Sequence, residues 1–190
     1  LKVACYFSAG FLFGGGGAKM IKKFSHHFQK HLYELYIGDY LATKEKDVVL
    51  STVLGPCIAV CLSDKVSGVV GMNHFMLPGD SGRNDARYGL DSMNRLLGEM
   101  FNKGAHVRRM TAKVFGGARM LVTGNSVANA NINFVNEYLQ QRGITSDAAD
   151  TGSCYARRIH FCSSTYAIHL KKFGQETCME KVKDKYVIFK

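Results

Sequence analysis

Any chemistry in this sequence is best argued from Cys57. It stands in "LGPCIAVCLSD" (54–64), directly behind a Gly-Pro turn and at the mouth of a run that reads as a buried strand. A thiolate is a strong nucleophile, but a free thiol, with a pKa of about 8.5, is mostly protonated at neutral pH. Nucleophilic use therefore needs a nearby histidine, a position at the end of an element, and amide donors for a developing oxyanion. His74 is the matching histidine, because it alone of the seven sits in an apolar strand-like run, "GMNHFML". Ser51 and Thr52, near the end of the preceding strand, and Asn73, next to the histidine, are the groups that could orient its ring. Gly116 and Gly117 in "FGG" could bring backbone amides close to a substrate. Each residue also has a structural reading: a small core thiol, a core histidine bonded to backbone, packing hydroxyls, and a bulge at the double glycine.

The other uses of Cys57 fail on spacing. The six cysteines lie at 5, 57, 61, 154, 162 and 178. In a strand Cys57 and Cys61 would be about 13 Å apart, too far to bridge. No C-x-x-C occurs and no second pair completes a zinc set. The cysteines are read as reduced thiols of a cytosolic protein, and no metal site is expected.

A chain of 190 residues is one ordinary domain, or a domain with a tail, and is long enough to bury a core. Its 46 % hydrophobic and 21 % charged shares exclude a disordered protein. No stretch approaches the roughly 18 apolar residues of a membrane span, so no membrane insertion is expected. The net charge of +10 suits an acidic partner or simply solubility. The lysines are scattered without interleaved aromatics, so no nucleic-acid partner is expected.

The elements that must position these residues read as follows. Residues 1–19, with "GGGG" at 14–17, are an extension or added segment with a glycine linker, and Met20 is the expected start of the domain proper (20–175). Residues 24–36 carry apolar side chains at 24, 28, 32 and 35, which predicts a helix with His27 and His31 on its polar face. Residues 47–55, 57–64 and 69–79 predict three neighbouring strands, the second with Ile58, Val60 and Leu62 on one face and Cys57, Ala59 and Cys61 on the other. A helix is expected over 93–101, ended by Gly104, and another over 131–143, ended by Gly143. Between them lies a strand broken at the double glycine (110–121). A hairpin is expected over 156–173, and a C-terminal strand or tail over 176–190. Strands in runs with two helices between them give a single α+β domain with a mixed or antiparallel sheet flanked by helices. No G-x-G-x-x-G follows a strand, which disfavours a Rossmann fold.

"STVLGPCIAVCLSD", "GVVGMNHFMLPG", "RYG", "AKVFGGARML" and "NFVNEYLQQRGI" occur in this order from about 47 to 172. Together they resemble the CheD family of bacterial chemoreceptor glutamine deamidases. The resemblance implies a cysteine hydrolase fold related to the deamidating cytotoxic necrotising factors, with a Cys-His-Thr type triad. Carried over by motif, Cys57 is the nucleophile and His74 the general base. The third residue is the hydroxyl six positions before the cysteine, Ser51, with Thr52 as its alternative. Gly55, Asn73, Gly116 and Gly117 are the candidates for the substrate and oxyanion contacts. The implied reaction converts glutamine side chains on the cytoplasmic helical domain of methyl-accepting chemotaxis receptors to glutamate through a Cys thioester, with no cofactor. The implied location is the cytoplasm, at receptor arrays.

Two segments depart from the family pattern. The family's Gly-Ser-Cys is Gly-Pro-Cys here, and Pro56 removes one amide N–H and fixes φ. The family's "N-I-G-x-R-N" reads "SVANAN" (126–131), with Ala128 and Ala130 at the usual Gly and Arg positions. The competing reading is an adaptor that binds receptors or the CheC phosphatase, a partner the family also implies, with weak or no catalysis. The presence of both Cys57 and His74 argues against a pure adaptor.

Overall fold

The structure is a computed structural model that describes residues 20–119, 125–174 and 185–190. Residues 1–19, 120–124 and 175–184 lie outside it.

Two sheets and two helices stack in three layers. The first sheet contains β1 (Ile21–Ser25), β2 (Lys30–Glu34), β4 (Val48–Leu54), β9 (Tyr155–Cys162), β10 (Ile168–Gly174) and β11 (Lys185–Phe189), in the order β1-β2-β4-β9-β10-β11. The second contains β3 (Tyr40–Thr43), β5 (Ile58–Asp64), β6 (Val69–Asn73), β7 (Met110–Gly116) and β8 (Thr145–Thr151), in the order β3-β6-β5-β7-β8. The pairings are antiparallel except β2 with β4 and β7 with β8. The mixed α+β class expected from the sequence is therefore correct, but the strands divide between two sheets.

Strand alternation builds both cores. On β5, Ile58, Val60 and Leu62 face one way and pack with the helices, while Cys57, Ala59 and Cys61 face the other and pack between the sheets. The inter-sheet layer is completed by Leu50, Leu54, Met72, Phe115, Ile159 and Phe161. The outer layer is α1 (Gly89–Asn102) and α2 (Asn125–Gln141). Met93, Leu96, Leu97 and Met100 of α1 fall at i, i+3, i+4 and i+7 and are all buried. A fully buried Leu or Met side chain contributes about 1.5–3 kcal/mol, so this stripe fixes the helix to the sheet. α1 and α2 end just before Gly104 (φ +88) and Gly143 (φ +65), as expected of glycine past a helix C-terminus.

Four expectations need correction. The helix predicted over 24–36 is a hairpin, β1 and β2 pairing from Ile21↔Glu34 to Ser25↔Lys30. Its apolar residues can equally be read as half-buried strand positions, and Gln29 turns the chain with φ +52. Of the three strands predicted as neighbours, β5 and β6 pair antiparallel, but β4 does not share their sheet, because the chain leaves the first sheet after β4 and enters the second at β5. Residues 145–151, for which no element was expected, form β8, an edge strand whose mostly exposed polar residues give no hydrophobic signal. Finally, Cys154 is disulfide-bonded, against the expectation of reduced cysteines throughout, while Cys57, Cys61 and Cys162 are free thiols. The C-terminal stretch is a strand, β11, paired with β10 at the sheet edge.

Candidate active site

Four connections carry the chain between the sheets: residues 35–39, 44–47, 55–57 and 152–154. Those at 35–39 and 55–57 hold His74 and Cys57, and Gly152 in the last bonds to Gly116 behind the Cys57 turn. His74 follows β6 and is held by the first connection, accepting from Gly38 N–H at 2.8 Å and donating to the Asp39 carbonyl at 3.0 Å. Cys57 precedes β5. Ile58 and Phe75 exchange two hydrogen bonds of 3.0 Å across an antiparallel bridge. Cys57 and His74 are therefore diagonal neighbours on one side of that bridge. They face the inter-sheet layer, opposite Ile58 and Phe75, which pack with the helices.

The third member comes from the other sheet. Thr52 on β4 points inward with Leu50 and Leu54, and its Oγ1 lies 2.8 Å from His74 Nδ1. The same hydroxyl donates to the Leu35 carbonyl at 2.7 Å. Its one proton is thereby committed, so it accepts from Nδ1–H. The tautomer follows: Nε2 is unprotonated, and it is a buried atom with no hydrogen-bond partner. Ser51, one residue earlier, belongs to the opposite face of β4. It pairs in register with His160, and its buried hydroxyl has no partner. The structure thus brings Thr52, not Ser51, to the imidazole.

Burial sets the protonation states. Cys57 is 5 % and His74 4 % exposed. Desolvation pushes the Cys57 thiol up to about 11, against a smaller opposing effect of its own amide N–H. Desolvation likewise pulls His74 down to about 4. The resting pair is a neutral thiol beside a neutral imidazole, with a lone pair on Nε2 ready to take a proton.

The glycines predicted as substrate contacts hold the turn instead. Gly117 N–H donates to the Cys57 carbonyl at 2.8 Å, and Ala118 N–H donates to the Gly55 carbonyl at 2.8 Å. Gly116 has φ +117, and a Cβ there would lie 2.0 Å from the Cys57 carbonyl oxygen. Only glycine allows this approach. Asn73 is also occupied elsewhere: its Oδ1 accepts from Val60 N–H at 2.9 Å and its Nδ2 reaches the Met93 sulfur of α1 at 3.1 Å. Of residues 56–58, the Cys57 amide is the available donor, since Pro56 has no N–H and Ile58 N–H is bonded to Phe75.

Several contributors were not singled out from the sequence. Leu35 supplies a carbonyl, which any residue would offer. Arg157 is fully buried, and it donates to Asp150 at 2.7 Å and to the Gly152 carbonyl at 2.8 Å. Gly152 N–H in turn donates to the Gly116 carbonyl at 3.0 Å, so this ion pair backs the glycine turn. Asn131 of α2, fully buried, donates to the carbonyls of Met76 at 2.8 Å and Pro56 at 3.3 Å. Its polar type inside an otherwise apolar helix face was the available clue.

A cleft of about 580 Å³ reaches Thr52 and His74. Leu35, Tyr36, Ile37 and Val53 form its apolar wall, and the ion pair of Glu34 with Arg158, 3.0 Å long, forms its polar end. Cys57 does not line this cleft. Among the described residues no cluster of His, Cys, Asp and Glu is arranged to hold a metal ion, and no helix is long and apolar enough to cross a membrane.

Residues 76–172 match the family model described as CheD chemotactic sensory transduction. A Laribacter hongkongensis protein named "Probable chemoreceptor glutamine deamidase CheD" is 38 % identical over 160 residues, 80 % of this chain and 77 % of that one. A Bordetella avium protein of the same name is 41 % identical over 140 residues, 70 % of this chain and 62 % of that one. The crystal structure of Neisseria meningitidis protein NMB0706 aligns at a TM-score of 0.41 and 10 % identity, over 61 % of this chain and 54 % of that one, too distant to bear on the site. With a family model spanning half of its length and relatives this similar over most of theirs, the chain belongs to the CheD family.

Proposed function

We propose that this protein is a cysteine-dependent protein-glutamine deamidase acting on glutamine side chains of chemoreceptors. The observation that carries the reading is the Thr52–His74 hydrogen bond, which leaves Nε2 as the unprotonated ring nitrogen, buried and without a hydrogen-bond partner. Family membership supplies the substrate class, through relatives named chemoreceptor glutamine deamidases.

The chemistry follows from the residue types. His74 Nε2 takes the Cys57 proton as the sulfur bonds the glutamine Cδ. Because the resting pair is neutral, this transfer accompanies attack rather than preceding it. The oxyanion that forms on the side-chain oxygen meets the Cys57 amide. Nε2–H protonates the departing nitrogen, the C–N bond breaks, and ammonia leaves a γ-glutamyl thioester. Water then gives a proton to Nε2 and adds to the same carbon. The C–S bond breaks, the thiol recovers its proton, and glutamate is released. Thr52 holds the ring tautomer throughout. No metal or organic cofactor is required by these steps.

The glutamines would lie on the cytoplasmic helical domain of the receptors, which places the enzyme in the cytoplasm at receptor arrays. Association with a CheC phosphatase belongs to the same proposal. The test is incubation of the parent and a Cys57→Ala variant with a receptor cytoplasmic fragment, read by peptide mass spectrometry. Amide-to-acid conversion by the parent alone supports the enzyme. No conversion by either, on a fragment that another deamidase converts, removes the catalytic reading and leaves the adaptor.

A further inference from the structure

The antiparallel register of β5 with β6, from Asp64↔Val69 to Cys61↔Met72, extends to a last bridge at Ile58 and Phe75, and the pairing stops there. Ile58 and Phe75 exchange both of their main-chain bonds. The next hydrogen-bonded pair of an antiparallel ladder would be Pro56 with Leu77. It cannot form in the usual way, because proline has no N–H and Leu77 N–H is given to the Arg87 carbonyl at 3.0 Å. The thiol and the imidazole thus sit beside the frayed end of their own ladder.

Asn131 fills that gap. Its Nδ2 donates to the carbonyl of Pro56, directly before the nucleophile, and to that of Met76, two residues beyond the histidine. Both partners are carbonyls, so the orientation of the carboxamide is fixed by chemistry. The side chain is fully buried, and its Oδ1 has no partner. Leaving a buried acceptor unpaired is unfavourable, a cost that an apolar residue on the same helix face would avoid. What the carboxamide gives in return is the pair of donors.

We propose that Asn131 is a positioning residue, a carboxamide clip from α2 that sets the spacing between Cys57 and His74 where Pro56 interrupts the ladder. It touches neither reacting atom and acts through the two backbone segments that carry them. The proposal rests on the deamidase reading for its kinetic consequence, whereas the clip itself is testable without turnover.

The test uses Asn131→Asp, which keeps the shape and removes both donors, and Asn131→Ser, which keeps a single donor. Circular dichroism establishes the temperature range in which each is folded, and all comparisons are made there. Turnover of a receptor fragment should fall about tenfold or more in Asn131→Asp with KM changed little, since small misplacements of reacting groups cost rate rather than binding. Asn131→Ser should lie between that variant and the parent. The iodoacetamide rate of Cys57, followed by peptide mass spectrometry, should change at least about threefold in Asn131→Asp, because the thiol's surroundings shift. Turnover and alkylation both within about twofold of the parent in both folded variants would overturn the clip. A parent that deamidates nothing while the alkylation rates still separate would sink the deamidase reading and leave the clip standing.

Discussion

The Thr52 hydroxyl accepts from His74 Nδ1 across 2.8 Å while giving its own proton to the Leu35 carbonyl at 2.7 Å. Three segments from two sheets thereby fix which imidazole nitrogen carries the proton. A hydroxyl with a free proton could donate to Nδ1 and select the opposite tautomer, so the Leu35 carbonyl is as much a part of the arrangement as the hydroxyl.

Removal of that acceptor should cost rate. Thr52→Val is expected to lower kcat by about 10- to 100-fold, as the tautomer is released and general-base transfer weakens. Thr52→Ser keeps the hydroxyl and should stay within about threefold of the parent. Ser51→Ala should be nearly silent, because its hydroxyl bonds to nothing. Kinetics of the three variants decide between neighbouring positions; a larger loss in Ser51→Ala than in Thr52→Val would reverse the assignment.

The neutral resting pair has its own signature. With the Cys57 thiol at about 11, its alkylation by iodoacetamide should rise about tenfold per pH unit through neutrality. With His74 at about 4, kcat/KM should hold from pH 7 down to about pH 5 and fall only below that, instead of failing near the ordinary histidine value. A thiol already reactive on a plateau below pH 7 would mean a thiolate–imidazolium pair and contradict this protonation state.

The fold was legible where apolar residues follow the period of an element or run through it. α1 and β9 bury one side at the period of their element, β4 and β5 are apolar runs buried almost throughout, and each forms as expected. Residues 24–36 misled because Phe24, Phe28, Leu32 and Leu35 fit a helical period, while the β1–β2 pairing that decides the matter is tertiary. In the site, Cys57 and His74 stood out by type and context. The choice between Ser51 and Thr52 did not, since strand alternation gives them opposite faces and nothing local says which face meets the histidine. Asn73 illustrates the same limit: adjacent to His74 in sequence, it points to α1. Gly116 and Gly117 were expected to bring amides close to a substrate, whereas the atom they approach is the Cys57 carbonyl.

Acid should destabilise the protein through two desolvated histidines. His74 and His160 are both pulled to about 4 by desolvation, below their unfolded value of about 6.5. Between those values the unfolded chain binds more protons than the folded one, so stability falls as pH drops from about 6.5 to about 4. The full shift at His74 corresponds to about 3 kcal/mol, and less is expected from the partly exposed His160. Thermal melts at pH 7.5 and 4.5 should show a smaller acid-induced drop for His160→Gln than for the parent. Equal drops would remove His160 from the account.

Gly116 offers the sharpest structural test of how the nucleophile is held. A Cβ at this residue would meet the Cys57 carbonyl oxygen at 2.0 Å and carbon at 3.1 Å, both backbone atoms that cannot rotate away. Its φ of +117 adds a conformation unsuited to any L side chain. Gly116→Ala should therefore destabilise by more than about 3 kcal/mol or force the Cys57 turn to move. Gly143, at φ +65 with nothing within 4 Å of a built Cβ, provides the control, where alanine should cost about 1 kcal/mol. Urea unfolding gives both values, and the iodoacetamide rate of Cys57 shows whether the turn has shifted in a variant that still folds. If Gly116→Ala costs no more than Gly143→Ala and leaves the thiol's reactivity unchanged, the glycine does not constrain the nucleophile. A cost confined to Gly116, with altered Cys57 reactivity and a normal Gly143→Ala, would tie the double glycine of β7 to the position of the thiol rather than to a general need for flexibility.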